Sequence, residues 1–366
     1  MADTQKAKKS QYTKDIPDWV RACEAIRRDE NHAEDVSLAE YIKENLQLEL
    51  SDVYHDIGLN PAIDSIQNII NMPSTELRWL IPEIYRDALR LGLRKAPIYP
   101  NLIAGEQTVS QTSVKFPAIN MADATPRRVN IAETISVGEV SFDQKTVEIH
   151  KIGRGIKLPY EVIQYVSLNL VRIFLQDFGV KLGMGLDSLA ISTAINGDQA
   201  NGSDSAPVIG IITPGDLVYR DLLRIWLRGA RLGKTFTTQV AGEDMAIEIL
   251  DLLTTTRVFG NQRATVTMKT ALPQNSDLYV HGQIPANQAL ILDPASSLIK
   301  LNAQPLLIET EKIVSNQTEA TYATITTGFA TLFRDSRIVL DQSLDYATNG
   351  FPTWMDPSAF EVVTFD

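Results

Sequence analysis

The amino-acid sequence predicts an α+β protein in which helices and strands follow one another without an internal repeat. Three stretches support this class. Leu168–Ile195 is a long apolar run with helical spacing, "GEVSFDQKTVEIHKI" alternates as a strand does, and the chain after about residue 278 is rich in strand patterns. A chain of 366 residues with such elements can bury a large hydrophobic core.

The composition is that of a folded protein, with 44% apolar and 22% charged residues. The net charge is -11 and the acidic residues are spread along the chain, which argues against sequence-independent DNA binding. The single cysteine, Cys23, excludes an intrachain disulfide and a zinc site built from cysteines. We interpret Cys23 as a small apolar residue beside Trp19 and Ile26.

No segment has the pattern of a secretion signal or of a membrane span. The first residues, "MADTQKAKKSQYTK", are basic but lack an apolar core. The long apolar run contains the charged residues Arg172, Asp177, Lys181 and Asp187. We therefore expect an intracellular, soluble protein.

The N-terminal part is predicted to be helical after a charged arm. Residues 1–35 contain few apolar side chains and fit an arm. "SLAE" at Ser37–Glu40 is a capping-box pattern that opens an amphipathic helix. The apolar stripe of this helix consists of Leu38, Ile42, Leu46, Leu50, Val53 and Ile57. Two shorter helices are expected around 62–71 and 75–91, with Pro82 either kinking the second or starting a new segment.

Residues 112–152 are predicted to form a long two-stranded ribbon. "TSVKFPAIN" and "GEVSFDQKTVEIHKI" have strand patterns, and a polar, turn-rich stretch separates them. The apolar positions switch from odd numbers, Val147 and Ile149, to even numbers from Ile152 onward. A bulge or bend near "IGRG" would explain this switch.

A very long helix is predicted from about 160 to 195, either continuous or broken near Ser167. Pro159 fits its first turn, and Asn196-Gly197 fits its C-terminal stop. Three glycines inside the helix each cost about 1 kcal/mol relative to alanine, and we expect the close approach of another backbone to compensate for them. These glycines are Gly179, Gly183 and Gly185.

Two further helices and a strand-rich region complete the chain. The helices are predicted in "PGDLVYRDLLRIWLRGARLG" and "AGEDMAIEILDLLTTT". The core candidates of the first are Leu217, Leu222, Ile225 and Trp226. The strands are predicted in "DLYVHG", "QALILD", "QPLLIETEKIV" and "ATYATITTGFATLFRDSRIVLD".

No local motif carries enzyme chemistry. "GARLGKT", Gly229–Thr235, has three residues where a P-loop needs four, so we interpret it as a helix C-terminus with Gly233 as the stop. In "GRGIKL", Leu158 stands where a dinucleotide-binding motif needs its third glycine. The histidines are far apart in sequence and lack metal-site spacing: His32, His55, His150 and His281. We expect no catalytic residue, metal or cofactor, although an active site assembled from distant residues stays open.

The ribbon and the arm both need a surface to lie on, because a two-stranded hairpin is marginal in water and unpaired edges invite association. Two such extensions indicate a subunit of a larger assembly. The candidates for contacts between subunits are Arg127, Arg128, Lys115 and Phe142. For the arginine pair at the ribbon tip, a solvated turn and a contact to an acidic patch of another subunit are equally good interpretations.

Several stretches occur in an order that is typical of one family. "EVSFDQKTVEIHKIGRGIKLPYEVIQ", a long helix, "INGD" and a loop ending in "APVIGI" follow one another. Their order and spacing, from roughly 75 to 345, resemble the tailed-bacteriophage major capsid protein of the Hong Kong 97 type. "TYATITTGFATLFRDSRIVLD", 321–341, resembles the strand by which that family returns to its peripheral domain.

The resemblance implies a Hong Kong 97-like fold with an N-terminal arm, an extended loop called the E-loop, a long spine helix, and peripheral and axial domains. The implied parts are the arm and its helices in 1–95, the E-loop in 110–150, the peripheral domain in 96–109, 151–214 and 301–366 with the spine helix at about 160–195, and the axial domain in 215–300.

The function implied by the resemblance is that of a structural protein of a virion. Hexamers and pentamers of such a chain close into an icosahedral or prolate shell around the double-stranded DNA of a tailed phage, without sequence-specific DNA binding. The implied partners are other copies of the chain, reached by the E-loop and the N-terminal arm, a portal protein, and in some members scaffold, protease or decoration proteins. The chain would be made in the host cytoplasm, with no membrane partner.

Two features of this chain bear on what varies within that family. Some members join a lysine on the E-loop to an asparagine of a neighbour, whereas residues 116–144 contain no lysine, so we expect no such cross-link. Some members lose an N-terminal scaffolding segment, and we interpret residues 1–70 as a retained arm.

Three other functions were compared with the capsid interpretation. An encapsulin-like nanocompartment would share the fold, but such chains are typically shorter and lack a long N-terminal arm. An enzyme with an active site assembled from scattered residues belongs to another class. A surface adhesin or pilus subunit is disfavoured because no signal peptide pattern is present.

Overall fold

The computed structural model describes residues 77–95, 97–110, 113–116, 145–198, 205–255 and 276–357, and the single positions Gln47, His55 and Asn60. Its helices are Leu77–Lys95 (α1), Tyr160–Tyr165 (α2), Leu168–Asn196 (α3), Tyr219–Arg231 (α4) and Glu243–Thr255 (α5). Its strands are Ile103–Thr108 (β1), Ser113–Phe116 (β2), Lys145–Glu148 (β3), His150–Pro159 (β4), Val208–Ile211 (β5), Thr238–Ala241 (β6), Asp277–Val280 (β7), Gln288–Leu292 (β8), Leu298–Ile313 (β9), Thr318–Thr331 (β10) and Arg337–Asp345 (β11).

The strands within these ranges form three sheets. A four-stranded sheet has the order β1-β9-β10-β4, a five-stranded sheet has the order β5-β11-β8-β6-β7, and β2 pairs with β3 alone. In the five-stranded sheet β5 runs parallel to β11 and β7 parallel to β6, while β8 is antiparallel to both β11 and β6. Parallel pairs require crossover connections, which α4 and α5 help to supply.

The chain divides into two compact units. Within the described residues the first unit contains 77–97, 151–186 and 304–326, and the second contains 98–150, 187–303 and 327–357 with their gaps. The chain passes from one unit into the other between Pro97 and Ile98, and again inside β4, α3, β9 and β10.

The long helix is present, and the predicted alternative in which it is broken near Ser167 is confirmed. α3 begins at Leu168, and the short α2 precedes it. Val166 between them is extended, with φ -92° and ψ 134°, so the predicted span is broken there. α3 is long and apolar enough to cross a membrane by these two criteria alone, but 56% of its most apolar window is buried inside the protein. That burial is typical of a core helix in a soluble protein.

Two of the three glycines of α3 lie against another backbone, as predicted. A Cβ on Gly179 would collide with the carbonyl of Leu89 in α1, and a Cβ on Gly183 would lie 3.4 Å from the carbonyl oxygen of Leu93. Gly92 of α1 makes the reciprocal contact, since its Cβ would collide with the backbone of Gln176. α1 and the part of α3 that belongs to the first unit therefore approach each other through glycines on both helices.

The prediction is wrong for Gly185. A Cβ there would meet the side chain of Ile152 at 3.6 Å, which is ordinary van der Waals contact, and no other backbone lies within 4 Å. The described environment of Gly185 therefore offers no compensation for the cost of a glycine inside a helix.

A single helix from Ser37 to Ile57 is also wrong. Gln47 lies outside any helix and has a φ of 55°, in the left-handed region, whereas His55 is helical. A left-handed residue commonly follows a helix C-terminus. The rest of this segment, and the helix predicted at 62–71, lie outside the described residues. α1 runs from Leu77 to Lys95 without a break at Pro82.

The second unit has its hydrophobic core between the five-stranded sheet and the two helices α4 and α5. All four predicted core candidates are buried, of which Leu217 precedes α4 and the others lie in it: Leu217, Leu222, Ile225 and Trp226. They belong to one cluster with residues of β5, β8 and β11 and with Met245 and Ile249 of α5. α4 ends at Arg231, and Gly233 follows with a φ of +71°. The interpretation of "GARLGKT" as a helix C-terminus is therefore confirmed.

Candidate assembly site

The base of the predicted ribbon is built into the second unit. β2 and β3 pair antiparallel, from Ser113 opposite Glu148 to Phe116 opposite Lys145. Val147 of β3 is 1% exposed and packs in a cluster with Leu301 and Ala330. This cluster joins the ribbon base to β9 and β10.

The parity switch after the ribbon is a change of sheet. Glu148 is the last residue of β3, Ile149 is outside both strands, and His150 begins β4, which pairs with β10. The change of sheet lies at Ile149, three residues before "IGRG". Side chains in a strand alternate between the two faces of the sheet. One residue that belongs to neither strand therefore moves the inward-facing side chains from odd-numbered to even-numbered positions.

The four predicted contact residues are only partly within the described structure. Lys115 lies in β2 opposite Thr146. Arg127, Arg128 and Phe142 lie outside the described residues, as does the ribbon tip. Their role in contacts between subunits stays a prediction.

A buried carboxylate fixes the start of the segment that leads to the ribbon. Asp187 of α3 accepts hydrogen bonds from the backbone N–H groups of Ile98 and Tyr99, both at 2.8 Å. Burial raises the pKa of Asp187, and the two hydrogen bonds and the nearby His281 oppose that rise. This carboxylate thus does for an irregular segment what a capping residue does for a helix.

Two further buried polar groups hold the C-terminal end of α3. Arg337 of β11 has an exposed fraction of 0%, and its Nη1 donates to the carbonyls of Thr193 at 3.3 Å and Ala194 at 3.0 Å. A guanidinium at this position also complements the negative end of the helix dipole. Asp198, just beyond the helix, accepts hydrogen bonds from the N–H and the hydroxyl of Thr331 at 3.2 and 3.1 Å.

An ion pair braces β1, the strand before the ribbon, against β9. Lys300 Nζ lies 3.2 Å from Glu106 Oε1 and 4.9 Å from the ring centroid of Tyr99. Asn302 Nδ2 donates to the other oxygen of Glu106 at 2.8 Å. β1 and β9 run parallel with Glu106 opposite Lys300, so the pair fixes their register.

Sequence reasoning missed these anchors, although two left a signal. Asp187 is the only charged residue of α3 after Lys181, and Arg337 stands directly before the apolar run Ile338–Leu340 of β11. A buried charge must have a partner, so an isolated charge in an apolar element indicates a tertiary contact. Nothing in the sequence says which partner it has.

The polar groups described above are structural anchors. Within the described ranges, no three His, Cys, Asp or Glu side chains are placed to hold a metal ion. His150 is exposed at the start of β4, and His281 Nδ1 accepts a hydrogen bond from the backbone N–H of Gln283 at 3.0 Å. These polar groups stabilise the positions of strands and helix ends through hydrogen bonds and ion pairs.

No family model matches the chain, and no curated protein matches it. Solved structures do match. The capsid of a native GTA particle is 13% identical, with a TM-score of 0.51, over 69% of this chain and 89% of that one. The virus-like particle from Pyrococcus furiosus is 14% identical, with a TM-score of 0.47, over 71% and 98%.

A third solved structure is the holo-SrpI encapsulin complex from Synechococcus elongatus, 11% identical with a TM-score of 0.49, over 74% of this chain and 92% of that one. The likeness to the GTA capsid shows the fold, because more than two thirds of each chain superposes at a TM-score above 0.5. The molecule has the α+β fold of Hong Kong 97-like capsid proteins that the sequence predicted.

Proposed function

We propose that this chain, folded as Hong Kong 97-like capsid proteins are, is the major capsid protein of a tailed phage and assembles through hexamers and pentamers into a shell around double-stranded DNA. The observation that carries the proposal is the ribbon base, in which β2 and β3 pair antiparallel and Val147 packs in a buried cluster with Leu301 and Ala330. A ribbon anchored in this way needs a neighbouring surface to be stable.

Within this proposal the parts of the chain take the roles that the resemblance implies. Residues 110–150 form the E-loop that lies on a neighbouring copy, 160–195 contain the spine helix, and 215–300 form the axial domain. The preceding residues 1–95 hold the arm, and 96–109, 151–214 and 301–366 form the peripheral domain. Arg127, Arg128, Lys115 and Phe142 would contact neighbouring copies.

The charge of the chain supports the enclosure of DNA without tight binding. The net charge is -11, and strong binding of phosphates needs clustered lysines and arginines. A container with an acidic wall leaves the genome free to enter and leave. Such a shell also needs a portal protein, and scaffold, protease or decoration proteins fit the same scheme.

Negative-stain electron microscopy and sedimentation of the chain expressed alone test the proposal. We expect closed shells, or rings of six and five copies. Packaged DNA supports the phage role, whereas a protein cargo would support an encapsulin-like shell. A species that stays monomeric near 40.6 kDa, even with precipitant, would contradict shell formation. In denaturant with reductant the particles should give a single band near 40.6 kDa, because residues 116–144 offer no lysine for a cross-link.

A further inference from the structure

We propose that α4 of one copy binds α5 of the next copy, in a head-to-tail contact that closes the rings of the shell. The inference rests on the proposed function and names the surface by which the copies meet. Both helices belong to the second unit.

α4 presents arginines around an exposed leucine. The helix contains four arginines, Arg220, Arg224, Arg228 and Arg231, and Leu227 is 63% exposed. Its one acid, Asp221, is buried and accepts hydrogen bonds from the backbone N–H groups of Ile212 and Val218, at 3.3 and 3.2 Å. Arg224 Nη1 lies 3.6 Å from Asp221 Oδ1, and Arg228 Nη1 lies 3.5 Å from Asp356 Oδ1. The charged side chains that α4 exposes at its two ends, Arg220 and Arg231, are positive.

α5 presents the opposite charge around an exposed isoleucine. The helix contains four acids, Glu243, Asp244, Glu248 and Asp251, and no lysine or arginine. Ile247 is 65% exposed, and Leu250 beside it is 37% exposed. An exposed apolar side chain surrounded by acidic side chains is complementary to a surface that has an apolar centre surrounded by basic side chains.

The two helices lie toward opposite edges of the same sheet. Ile212, the residue after the edge strand β5, donates its backbone N–H to Asp221 of α4, and α5 packs against the other edge strand, β7, and against the middle strand, β8. Their buried sides belong to one core cluster, so both cover the same face. A positive side and a negative side at opposite edges favour a heterologous contact, which closes into a ring when the rotation between copies allows it.

The C-terminal segment orients part of the positive side. Arg224 lies 4.7 Å from the ring centroid of Tyr346, and Arg228 lies 4.7 Å from that of Phe351. These two arginines are held on aromatic rings, while Arg220 and Arg231 at the two ends of the helix are exposed. The end residues are therefore the ones to change.

Charge reversal on each face, and on both faces together, tests the contact. The first variant carries Arg220→Glu and Arg231→Glu, and the second carries Glu243→Lys and Asp251→Lys. Each places like charges in the contact, so we expect at least a tenfold loss of assembled rings in sedimentation and negative stain. The chain with all four changes keeps the net charge of -11 and restores opposite charges, so it should assemble again.

A matched control carries Arg154→Glu and Lys157→Glu in β4, which are exposed and give the same change of net charge as the α4 variant. It should assemble as the unchanged chain does. Circular dichroism and melting curves should show that all variants are folded.

The outcomes separate the two proposals. Normal rings from either single-face variant, no rescue in the fourfold variant, or an equal loss in the control would overturn the pairing of α4 with α5 and leave shell formation standing. An unchanged chain that stays monomeric would overturn both proposals.

Discussion

Arg337 is the residue on which the end of the long helix depends. It is fully buried, and its guanidinium donates hydrogen bonds to two carbonyls in the last turn of α3. Arg337→Met fills much of the same volume but leaves those carbonyls without a charged donor. We expect a loss of about 3 kcal/mol in the free energy of unfolding, measured by urea denaturation.

The control for this change lies three residues earlier. Arg334 is exposed and contacts the ring of Trp354 at 4.2 Å, so Arg334→Met should cost less than about 1 kcal/mol. Equal losses for the two variants would mean that burial of the guanidinium of Arg337 has no special effect.

Asp187 should make stability depend on pH. Burial raises its pKa above the ordinary value of 3.8, so the folded protein binds the proton more tightly than the unfolded chain does. The resulting stabilisation is complete below the ordinary value and is lost as the pH rises through the raised value. Asp187→Asn keeps an oxygen for the two N–H donors and removes the titration.

We therefore expect the free energy of unfolding of the unchanged chain to fall, relative to that of Asp187→Asn, as the pH rises from about 3 toward neutrality. Urea denaturation across this range measures the difference. Asp216→Asn, at an exposed loop position, serves as the comparison. A difference that stays constant with pH would contradict the role of burial at Asp187.

At the scale of the element, two glycines of α3 predict opposite effects of the same substitution. Gly179→Ala drives a Cβ into the backbone of α1 and should destabilise the fold by about 1–3 kcal/mol. Gly185→Ala adds a Cβ in ordinary contact with Ile152 and should stabilise it by about 0.5–1 kcal/mol, because alanine favours a helix. Melting temperatures of the two variants should move in opposite directions. A stabilising Gly179→Ala would show that the two helices can separate at no cost.

The ribbon can be shortened without touching its base. Phe116 lies opposite Lys145, so replacing residues 117–144 by Asn-Gly joins the paired strands with a two-residue turn. Val147 then keeps its place in the core, and we expect a folded protein that fails to form shells. Circular dichroism reports the fold and electron microscopy the assembly. Normal shells from this variant would refute the role of the ribbon as an E-loop.

The elements were predictable where their signal is local. The long helix, the ribbon base and the end of α4 at Gly233 follow from periodicity and turn residues. The break at Gln47 was not, because the apolar stripe continues through Leu46 and Leu50 on either side of it. The partners of Arg337 and Asp187 come from segments more than 80 residues away, and single-sequence patterns carry no such pairing.

At the scale of the whole molecule, the two units carry different tasks in the proposed assembly. The first unit supplies α1, most of α3, and the parts of β9 and β10 that lie within 304–326. The second supplies the ribbon base and the oppositely charged helices. The net charge of -11 therefore does not show that basic side chains are concentrated on α4 and acidic side chains on α5.

The opposite charges of α4 and α5 determine whether a ring built from two variants can have an odd number of subunits. A chain reversed only at α4 is negative on both sides, and a chain reversed only at α5 is positive on both sides. Mixed in equal amounts, the two can join only in alternation, and an alternating circle closes only with an even number of members. Six-membered rings can then form but five-membered rings cannot. Since five-membered rings supply the corners of a closed shell, the mixture should give flat sheets or open tubes in electron micrographs.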